Sequence, residues 1–532
     1  MRQNKLKTVL AVILAVGIFS ACNKKLDLIP TNDKTDDKVY STSLGYKQAL
    51  SKVYGAMALT GNAGPAGNGD IPAAIISDEG NSDFLRQLWY LQCLSTDEAG
   101  WTYHSNTDPL GIHQMSWSSI NQTVAGLYYR SFFQITLAND FIKQASDENL
   151  AARGITGTSA DSIRMYKAEA RFLRAYQYSV LMDLFGNPPF VTEENAIGSG
   201  LPDQIQRKDL FTYIESELKA IEPELAPAGT NEYARADQAA AWALLARNYL
   251  NAEVYTGTPM YTEAITYANK VIGAGYSLNS DYKDLMLADN NVNNNEFIFV
   301  IAYDGTYTQN YGGTTFLVHG PAGVPNEVSG SNGSWNCIRV TQQFVGLFDN
   351  EDVRGQFYTQ GQNLIMTQLL DVATDGYSST KFRNLTKAGD AAPHADPSNI
   401  FSDIDFPVFR LPEMYLIYAE SVIRGGTGGD NATALSYLQA LAKRARPNDP
   451  SAASIAELSL SYIINERGRE LFWECFRRTD LIRFGEFTTG AYLWAWKGGV
   501  ASGTAVSPHL KLYPIPSTDL SANPNLVQNP GY

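Results

Sequence analysis

Cysteine and histidine are scarce in this chain, which has four cysteines and five histidines among 532 residues. This scarcity excludes the small secreted domains that disulfides hold together. Three of the cysteines, Cys93, Cys337 and Cys475, are widely separated and form no zinc-binding spacing with the scattered histidines. At most one disulfide can form among these three within the chain.

Excess positive charge is also missing. The net charge is -14, and no stretch dense in lysine and arginine follows the first 25 residues. A protein that binds nucleic acid needs a basic patch that displaces counterions from phosphates. The sequence therefore excludes DNA and RNA as ligands.

Catalytic signatures are absent as well. The sequence contains no HExxH, no GxSxG, no GxGxxG after a strand and no phosphate-binding loop. Adjacent acids occur at Asp78-Glu79 and Asp97-Glu98, but such pairs usually face solvent or cap a helix. Since the carboxylates of a glycosidase are defined by their distance in space, hydrolysis stays an alternative, and we expect a protein that is not an enzyme.

One acidic and amide-rich stretch offers hard oxygen ligands. It runs from Asp289 to Glu296 and is the only reason to consider calcium as a cofactor. The stretch lacks the glycine and the final glutamate of an EF-hand loop. The pattern favours a turn over a calcium site, and no other cofactor is indicated.

Long hydrophobic runs are missing except near the start. Residues 1–7 carry three cationic groups, residues 8–19 are apolar, and Ser20-Ala21-Cys22 follows. This pattern predicts a signal peptide over residues 1–21, because the apolar run is too short to span a bilayer permanently. Cys22 directly after Ser-Ala resembles a bacterial lipobox and is the predicted lipidation site; the alternative is an ordinary secreted protein with a coincidental cysteine.

Amphipathic helices dominate what remains. Apolar residues recur every three or four positions over residues 166–181, 237–251, 261–271 and 413–423, and again over 432–445 and 455–471. Successive pairs of about 30 to 45 residues suggest tetratricopeptide-like helix hairpins. The fold class predicted is mainly α, and the length allows more than one conventional domain or one large domain of stacked repeats.

Two long stretches interrupt the helices. Residues 56–118 and 278–411 are rich in glycine, asparagine, aspartate, serine and proline, with short strand-like runs such as residues 297–301. Loops of this size usually carry binding functions. We therefore expect a helical scaffold with irregular, partly β insertions that form the working surface.

Several long segments form a more specific pattern. They are EARFLRAYQYSVLMDLFGNPP at 169–189, the stretch that begins Arg235-Ala236-Asp237-Gln238, RLPEMYLIYAE at 410–420, residues 465–485, Tyr513-Pro514-Ile515-Pro516 and the closing Asn529-Pro530-Gly531-Tyr532. Together they resemble the SusD/RagB family of outer-membrane glycan-binding lipoproteins. The resemblance implies that residues 22–532 form one domain of a lipid-anchored protein at the cell exterior. Such a protein binds polysaccharide without catalysis and packs against a SusC-like TonB-dependent transporter.

The variable regions are similar to those of the starch-binding prototype of that family. The similar motifs are Ser95-Thr96-Asp97-Glu98, Asn310-Tyr311-Gly312-Gly313, Asn332-Gly333-Ser334-Trp335 and residues 492–499. The resemblance implies a glycan-binding arc of Tyr103, Tyr311 and Trp335, with Trp101 beside it and Arg86 and Asn106 as polar partners. Tyr103 stands where the prototype has tryptophan, and the stretch between Trp335 and Arg410 is shorter here.

The residue types suit that role on physical grounds. A pyranose has apolar C–H faces that aromatic rings cover and edge hydroxyls that arginine and asparagine bind. An exposed arc suits a coiled α-glucan, so we expect binding of starch-like α-glucan or maltooligosaccharides and their delivery to the transporter. The alternatives are another glycan, such as a fructan, a β-glucan or a host glycan, and a mainly structural lid or assembly subunit of the transporter.

Overall fold

The amphipathic segments fold into helices that pack side by side. The computed structural model describes residues 36–65, 69–195, 200–292, 294–372 and 374–532. The predicted signal peptide and Cys22 lie outside the described residues. Over those ranges, none of the helices combines the length and the apolar character needed to cross a membrane.

We number the α-helices and strands in chain order. The helices are α1 (Asp36–Val39), α2 (Ser43–Gly55), α3 (Phe84–Trp89), α4 (Thr107–His113), α5 (Gln122–Gln144), α6 (Asp147–Ala152), α7 (Gly157–Phe185), α8 (Arg207–Ile221), α9 (Gln238–Leu250), α10 (Ala252–Thr256), α11 (Tyr261–Ile272), α12 (Gly313–His319), α13 (Asn326–Ser329), α14 (Gln342–Val345), α15 (Leu411–Ile423), α16 (Asn431–Ala445), α17 (Leu460–Glu470), α18 (Arg477–Arg483) and α19 (Ser517–Ala522). The strands are β1 (Gly100–Trp101), β2 (Phe297–Ile301), β3 (Ile338–Arg339), β4 (Phe357–Tyr358), β5 (Ser378–Ser379) and β6 (Phe406–Arg410).

The long helices follow the predicted periodicity. The pattern at 166–181 lies within α7, which ends at Phe185 because Gly186 has a φ of 72° and two prolines follow. Neighbouring helices pack in pairs: α5 with α7, α7 with α8, α9 with α11, and α15 with α16. The prediction of a mainly α, hairpin-based scaffold is confirmed.

The alanine-rich helix α9 lies at the centre of these pairs. Its N-terminus is capped by the Asp237 carboxylate, which accepts a hydrogen bond from the backbone N–H of Ala240. Ala239, Ala243 and Ala246 are fully buried. Because their side chains are small, α11 and α15 can both approach the α9 backbone closely.

The strands form three small antiparallel sheets. The predicted strand at 297–301 is β2, which pairs with β6. Strands β1 and β3 pair, as do β4 and β5. These sheets bring chain segments that are far apart in sequence into contact within the insertions.

One stretch predicted as insertion belongs to the core instead. Within residues 56–118, helix α3 and the π-helical turn Tyr90–Leu94 form one buried segment. Phe84, Trp89 and Tyr90 are fully buried in the continuous apolar cluster that runs through the scaffold. Because the flanking residues have the composition of a loop, the average composition of residues 56–118 does not indicate this apolar segment.

A network of buried charges fastens the β2–β6 sheet to the scaffold. Arg410, at the end of β6, lies 2.6 Å from Glu474 and 2.9 Å from Glu296. It also lies 2.5 Å from Glu470, which ends α17. Burial alone would raise the pKa of Glu470, but the guanidinium groups of Arg444, Arg410 and Arg354 outweigh it and hold that pKa below its ordinary value. We call Glu296, Arg354, Arg410, Arg444, Glu470 and Glu474 the buried ion network.

The arginine-rich segment after α17 is divided between partners. Arg467 pairs with Asp480 at 2.8 Å, which joins α17 to α18. Arg477 instead binds Asp97 through two hydrogen bonds of 2.8 Å, so it ties α18 to the insertion at 56–118. Arg478 donates to the backbone carbonyls of Leu510 and Lys511.

The described cysteines form no disulfide, and the asparagine-rich stretch links two segments. Cys93, Cys337 and Cys475 are free thiols. Asn290 bridges two segments, since its side-chain nitrogen donates to the carbonyls of Leu285 and Asp405, each at 2.9 Å. Among the described residues, no three histidine, cysteine, aspartate or glutamate side chains are grouped to hold a metal ion.

Candidate functional site

The two loops that carry the predicted aromatic residues meet at the β1–β3 pair. Trp101 lies opposite Ile338 in this pair. The next residue, Thr102, donates through its backbone N–H to the Cys337 carbonyl at 3.0 Å and through its hydroxyl to the Asn336 carbonyl at 3.2 Å. Tyr103 therefore directly follows a residue that is bonded to the two residues after Trp335, and Tyr103 is 45% exposed.

Tyr311 is held by a tight turn whose two glycines are required. A Cβ atom on Gly312 would lie 2.2 Å from the side chain of Asp83, and Gly313 has a φ of 55°. The Asp83 carboxylate accepts hydrogen bonds from the backbone N–H groups of Arg86 and Gly313, at 2.7 and 2.8 Å. One buried carboxylate thus joins the start of α3 to the start of α12, which fixes Tyr311 relative to Arg86.

His319 holds Trp335 in two ways, through a backbone hydrogen bond and through stacking on one face of the indole ring. Its N–H donates to the carbonyl of His319 at 2.6 Å. The His319 imidazole stacks on the indole with centroids 4.8 Å apart and an angle of 15° between the planes. Trp335 is half-buried, so part of the indole remains accessible.

Arg86 lies beneath Tyr311 and Trp335. Its Nε donates to the hydroxyl of Tyr90 and its Nη1 to the backbone carbonyl of Tyr311, each at 3.1 Å. The guanidinium carbon is 5.9 Å from the centre of the Trp335 ring. The side chain is only 9% exposed. Arg86 therefore holds the backbone of Tyr311 and lies against the ring of Trp335, and its Nη2 makes no hydrogen bond to a described residue.

The placement of Trp101 corrects the sequence-based assignment. Its side chain is 2% exposed, and its ring packs edge-on against Tyr90. Its indole N–H donates to the Tyr103 carbonyl at 2.7 Å. The ring of Trp101 cannot stack on a sugar in this position, and it holds the backbone of Tyr103 instead.

Asn106 has a partly structural role. Its side-chain oxygen caps α4 by accepting a hydrogen bond from the N–H of Asp108 at 3.3 Å. The residue is half-buried beside the exposed Tyr103 loop. Because the cap uses the oxygen, the side-chain nitrogen is the group left to bind a ligand.

Tyr311 and Trp335 form a bent pair. Their ring centroids are 6.4 Å apart, and the planes are inclined by 52°. Phe401 packs against Tyr311 on another side at 5.5 Å. Two half-buried rings inclined in this way form an angled surface, not a flat platform.

A polar pair stands at the Tyr103 edge of the site. The Nδ1 of His104 lies 2.6 Å from the Asp371 carboxylate, and both side chains are more than half exposed. The backbone N–H of Asp371 donates to the Thr102 carbonyl at 3.0 Å. The segment around Asp371 is therefore attached to the strand end that carries Tyr103.

Sequence reasoning missed the layer behind the rings. Phe316 lies 4.7 Å from the Arg86 guanidinium, and His319 and Phe401 pack against Trp335 and Tyr311. Phe316 and His319 are three positions apart on α12, a spacing that places both on one helix face. That spacing could have predicted that Phe316 and His319 act together, but nothing in the sequence indicates that this helix face contacts Arg86 and Trp335.

Aromatic rings with few polar groups around them suit a carbohydrate, whose C–H faces stack on rings while its hydroxyls take hydrogen bonds. The helical scaffold and this site define a carbohydrate-binding protein. The chain belongs to the SusD family, whose model matches residues 353–532. Members of this family are glycan-binding proteins without catalytic activity.

Individual relatives support the assignment over most of the chain. The starch-binding protein SusD of Bacteroides thetaiotaomicron is 35% identical over 574 aligned positions, which cover 98% of each chain. A SusD-like protein of Bacteroides ovatus is 23% identical and covers 69% of this chain and 66% of that one.

Solved structures show the same fold. A SusD homologue from Bacteroides thetaiotaomicron has a TM-score of 0.71 at 21% identity, covering 94% of this chain and 99% of that one. Surface glycan-binding protein A from the same species, in complex with laminarihexaose, has a TM-score of 0.67 at 20% identity, covering 91% and 98%. The predicted fold class and family are thereby confirmed.

Proposed function

We propose that this protein binds starch-like α-glucan at the cell surface and passes maltooligosaccharides to a SusC-like TonB-dependent transporter. The proposed binding surface consists of Tyr103, Tyr311 and Trp335, with Arg86 and Asn106 as polar partners. In this proposal Cys22 carries the lipid anchor in the outer membrane, and residues 22–532 act as one domain. Trp101 supports the surface without touching the glycan.

The angle between the rings of Tyr311 and Trp335 is the observation that favours an α-glucan as the ligand. An extended β-glucan presents a flat ribbon that coplanar rings would cover, whereas an α-glucan coils and turns its sugar faces along a curve. The 52° between Tyr311 and Trp335 matches a curved chain. The starch-binding relative, at 35% identity over 98% of each chain, supports the same choice.

Hydrogen bonding around the rings is sparse, and this limits the affinity. Arg86 has one nitrogen, Nη2, without a partner among the described residues, and Asn106 has its side-chain nitrogen. Rings that cover sugar faces contribute about 25 cal/mol per Å² of apolar surface removed from water. After the loss of sugar freedom, this corresponds to dissociation constants of roughly micromolar to millimolar. Many anchored copies would still retain a polymer, because each bound site raises the local concentration of glycan at the next.

Affinity electrophoresis tests the ligand. The mature protein is run in native gels that contain amylopectin, laminarin or inulin, with a non-binding protein as the mobility standard. We expect amylopectin to retard the protein strongly and the other two to leave its mobility unchanged. Retardation by laminarin or inulin alone would reject the α-glucan assignment and leave the family membership intact.

Delivery to a transporter needs a separate measurement. The protein and the SusC-like transporter are co-purified with and without the double substitution Trp335→Ala, Tyr311→Ala. We expect the complex to survive the substitutions while growth on the glycan fails. Normal growth with the double variant would favour the alternative of a mainly structural lid.

A further inference from the structure

The ring of His319 stacks on Trp335 in the proposed binding surface. His319 is the last residue of α12 and is 1% exposed. Its imidazole lies nearly parallel to the Trp335 indole, 4.8 Å away. One face of the indole is therefore covered by protein, so a sugar can stack only on the opposite face.

Both imidazole nitrogens face carbonyl oxygens. The Nδ1 contacts the carbonyl of Gly333, two residues before Trp335, and the Nε2 lies 2.8 Å from the carbonyl of Ile400. Ile400 directly precedes Phe401, which packs on Tyr311. One side chain thus connects α12, the loop of Trp335 and the loop behind Tyr311.

The chemistry of imidazole makes this arrangement sensitive to protons. A neutral imidazole donates one hydrogen bond and has a lone pair on the other nitrogen, whereas an imidazolium donates two. With two carbonyl oxygens as partners, the neutral form leaves one oxygen opposite a lone pair. The charged form satisfies both oxygens and also places a cation against the indole face.

We propose that His319 is the positioning residue of Trp335: it sets the plane on which the sugar stacks, and its protonation tightens that hold. This inference rests on the proposed function. The charged groups around the stack are the Asp396 carboxylate, which accepts N–H bonds from Ile400 and Phe401, and the Arg86 guanidinium, 5.9 Å from the Trp335 ring.

The pKa of His319 indicates where the change occurs. Burial lowers this pKa, and the hydrogen bonds to the carbonyls of Ile400 and Gly333 and the charge of Asp396 offset only part of that effect. The imidazole is therefore neutral at neutral pH and gains its proton below the ordinary histidine value of about 6.5. The tighter hold appears as the pH falls through that range.

The first experiment needs no glycan. Tryptophan fluorescence is recorded from about pH 7 to about pH 4, a range that spans histidine titration, and the Trp335→Phe spectrum is subtracted to isolate Trp335. We expect this difference signal to fall with a midpoint below about 6.5, because an imidazolium stacked on the indole quenches it. The titration should disappear in His319→Gln and persist in the control His509→Gln, whose histidine lies beside Tyr532.

The second experiment measures binding at neutral pH. His319→Phe retains a flat ring under the indole but loses the hydrogen bond that the neutral imidazole donates, and we expect its glycan affinity to fall about 5-fold to 10-fold. His319→Gln retains one donor and should lose less. Wild-type affinity in both variants, or a titration that is absent from the wild type or persists in His319→Gln, would overturn the inference. If no tested glycan binds the wild type, the proposed function fails while the fluorescence titration still decides the role of His319.

Discussion

The buried ion network and the aromatic surface are stabilised in opposite ways. In the network, full charges lie out of contact with water and each one depends on several partners, as Arg410 does on Glu296, Glu470 and Glu474. On the surface, half-buried rings meet at angles and few polar groups are engaged. We therefore expect the network to fix one arrangement of the scaffold, and the surface to accept one ring in place of another without unfolding.

This difference has a physical origin. A buried ion that loses its partner has no water to replace it, so the penalty is large and is felt as stability. A half-exposed ring that is removed leaves a gap that water fills, so the loss is felt mainly in the ligand that the ring would have covered. Substitutions in the two regions should accordingly separate stability from binding.

The largest effect is expected for Arg410→Met. This change leaves the carboxylates of Glu296, Glu470 and Glu474 short of a buried cation. The free energy of unfolding, measured by denaturant titration, should fall by about 3–5 kcal/mol. Glycan affinity measured where the variant is still folded should stay near the wild-type value, because Arg410 lies outside the aromatic surface.

An exposed arginine provides the matched control. Arg164 pairs with Asp147 and Asp161, and its side chain is 51% exposed. Arg164→Met should leave the unfolding transition almost unchanged, since water replaces the lost contacts. Equal destabilisation by both substitutions would contradict the view that the network fixes the scaffold.

The reverse outcome is expected for Trp335→Ala. Removal of the indole takes away the ring that borders both Tyr311 and His319, so affinity for amylopectin should fall at least about 30-fold, or about 2 kcal/mol. Stability should fall by about 1 kcal/mol or less, because the ring is only half-buried. Affinity electrophoresis and thermal unfolding of the same sample measure both quantities.

A second tryptophan tests whether this loss is local. Trp242 is half-buried on α9 of the scaffold, where Lys270 lies 5.4 Å from its ring. Trp242→Ala should retain wild-type retardation in amylopectin. Unchanged retardation by Trp335→Ala would show that the glycan binds elsewhere.

The two regions also differ in how far sequence alone predicts them. Helices such as α7 and α9 follow from local periodicity, and β2 from a run of five apolar residues, because these signals lie within one segment. The partners of Arg410 come from two segments that are far from it in the chain, one with Glu296 and one with Glu470 and Glu474, and no local pattern specifies such a meeting. The resemblance to the family includes residues 465–485, but it does not indicate that Arg477 in that segment binds Asp97.

Burial was the property that sequence reasoning could not assign in the site. Trp101 and Tyr103 are two residues apart in the same motif, yet Trp101 is 2% exposed and Tyr103 45% exposed. In an extended segment, alternate side chains usually share a face. Here the chain leaves the strand after Trp101, and packing of Trp101 against Tyr90 decides which ring faces solvent. That packing depends on the π-helical turn Tyr90–Leu94, which continues α3 and which composition alone had not distinguished from the loops.

The smallest effect is expected for Tyr103→Trp, and it tests how freely the aromatic surface exchanges rings. An indole covers more of a sugar face than a phenol, so affinity for amylopectin should rise about 2-fold to 5-fold. Tyr103 is 45% exposed and lies beside the exposed His104, with the two ring centroids 5.7 Å apart, so we expect the larger side chain to fit without displacing the core. Isothermal titration with maltoheptaose measures the gain, and Tyr267→Trp on α11 controls for an added tryptophan. A lower affinity would mean that the space beside Asp371 accepts only the smaller tyrosine ring. This edge of the surface would then tolerate ring exchange as poorly as the buried ion network tolerates loss of a charge.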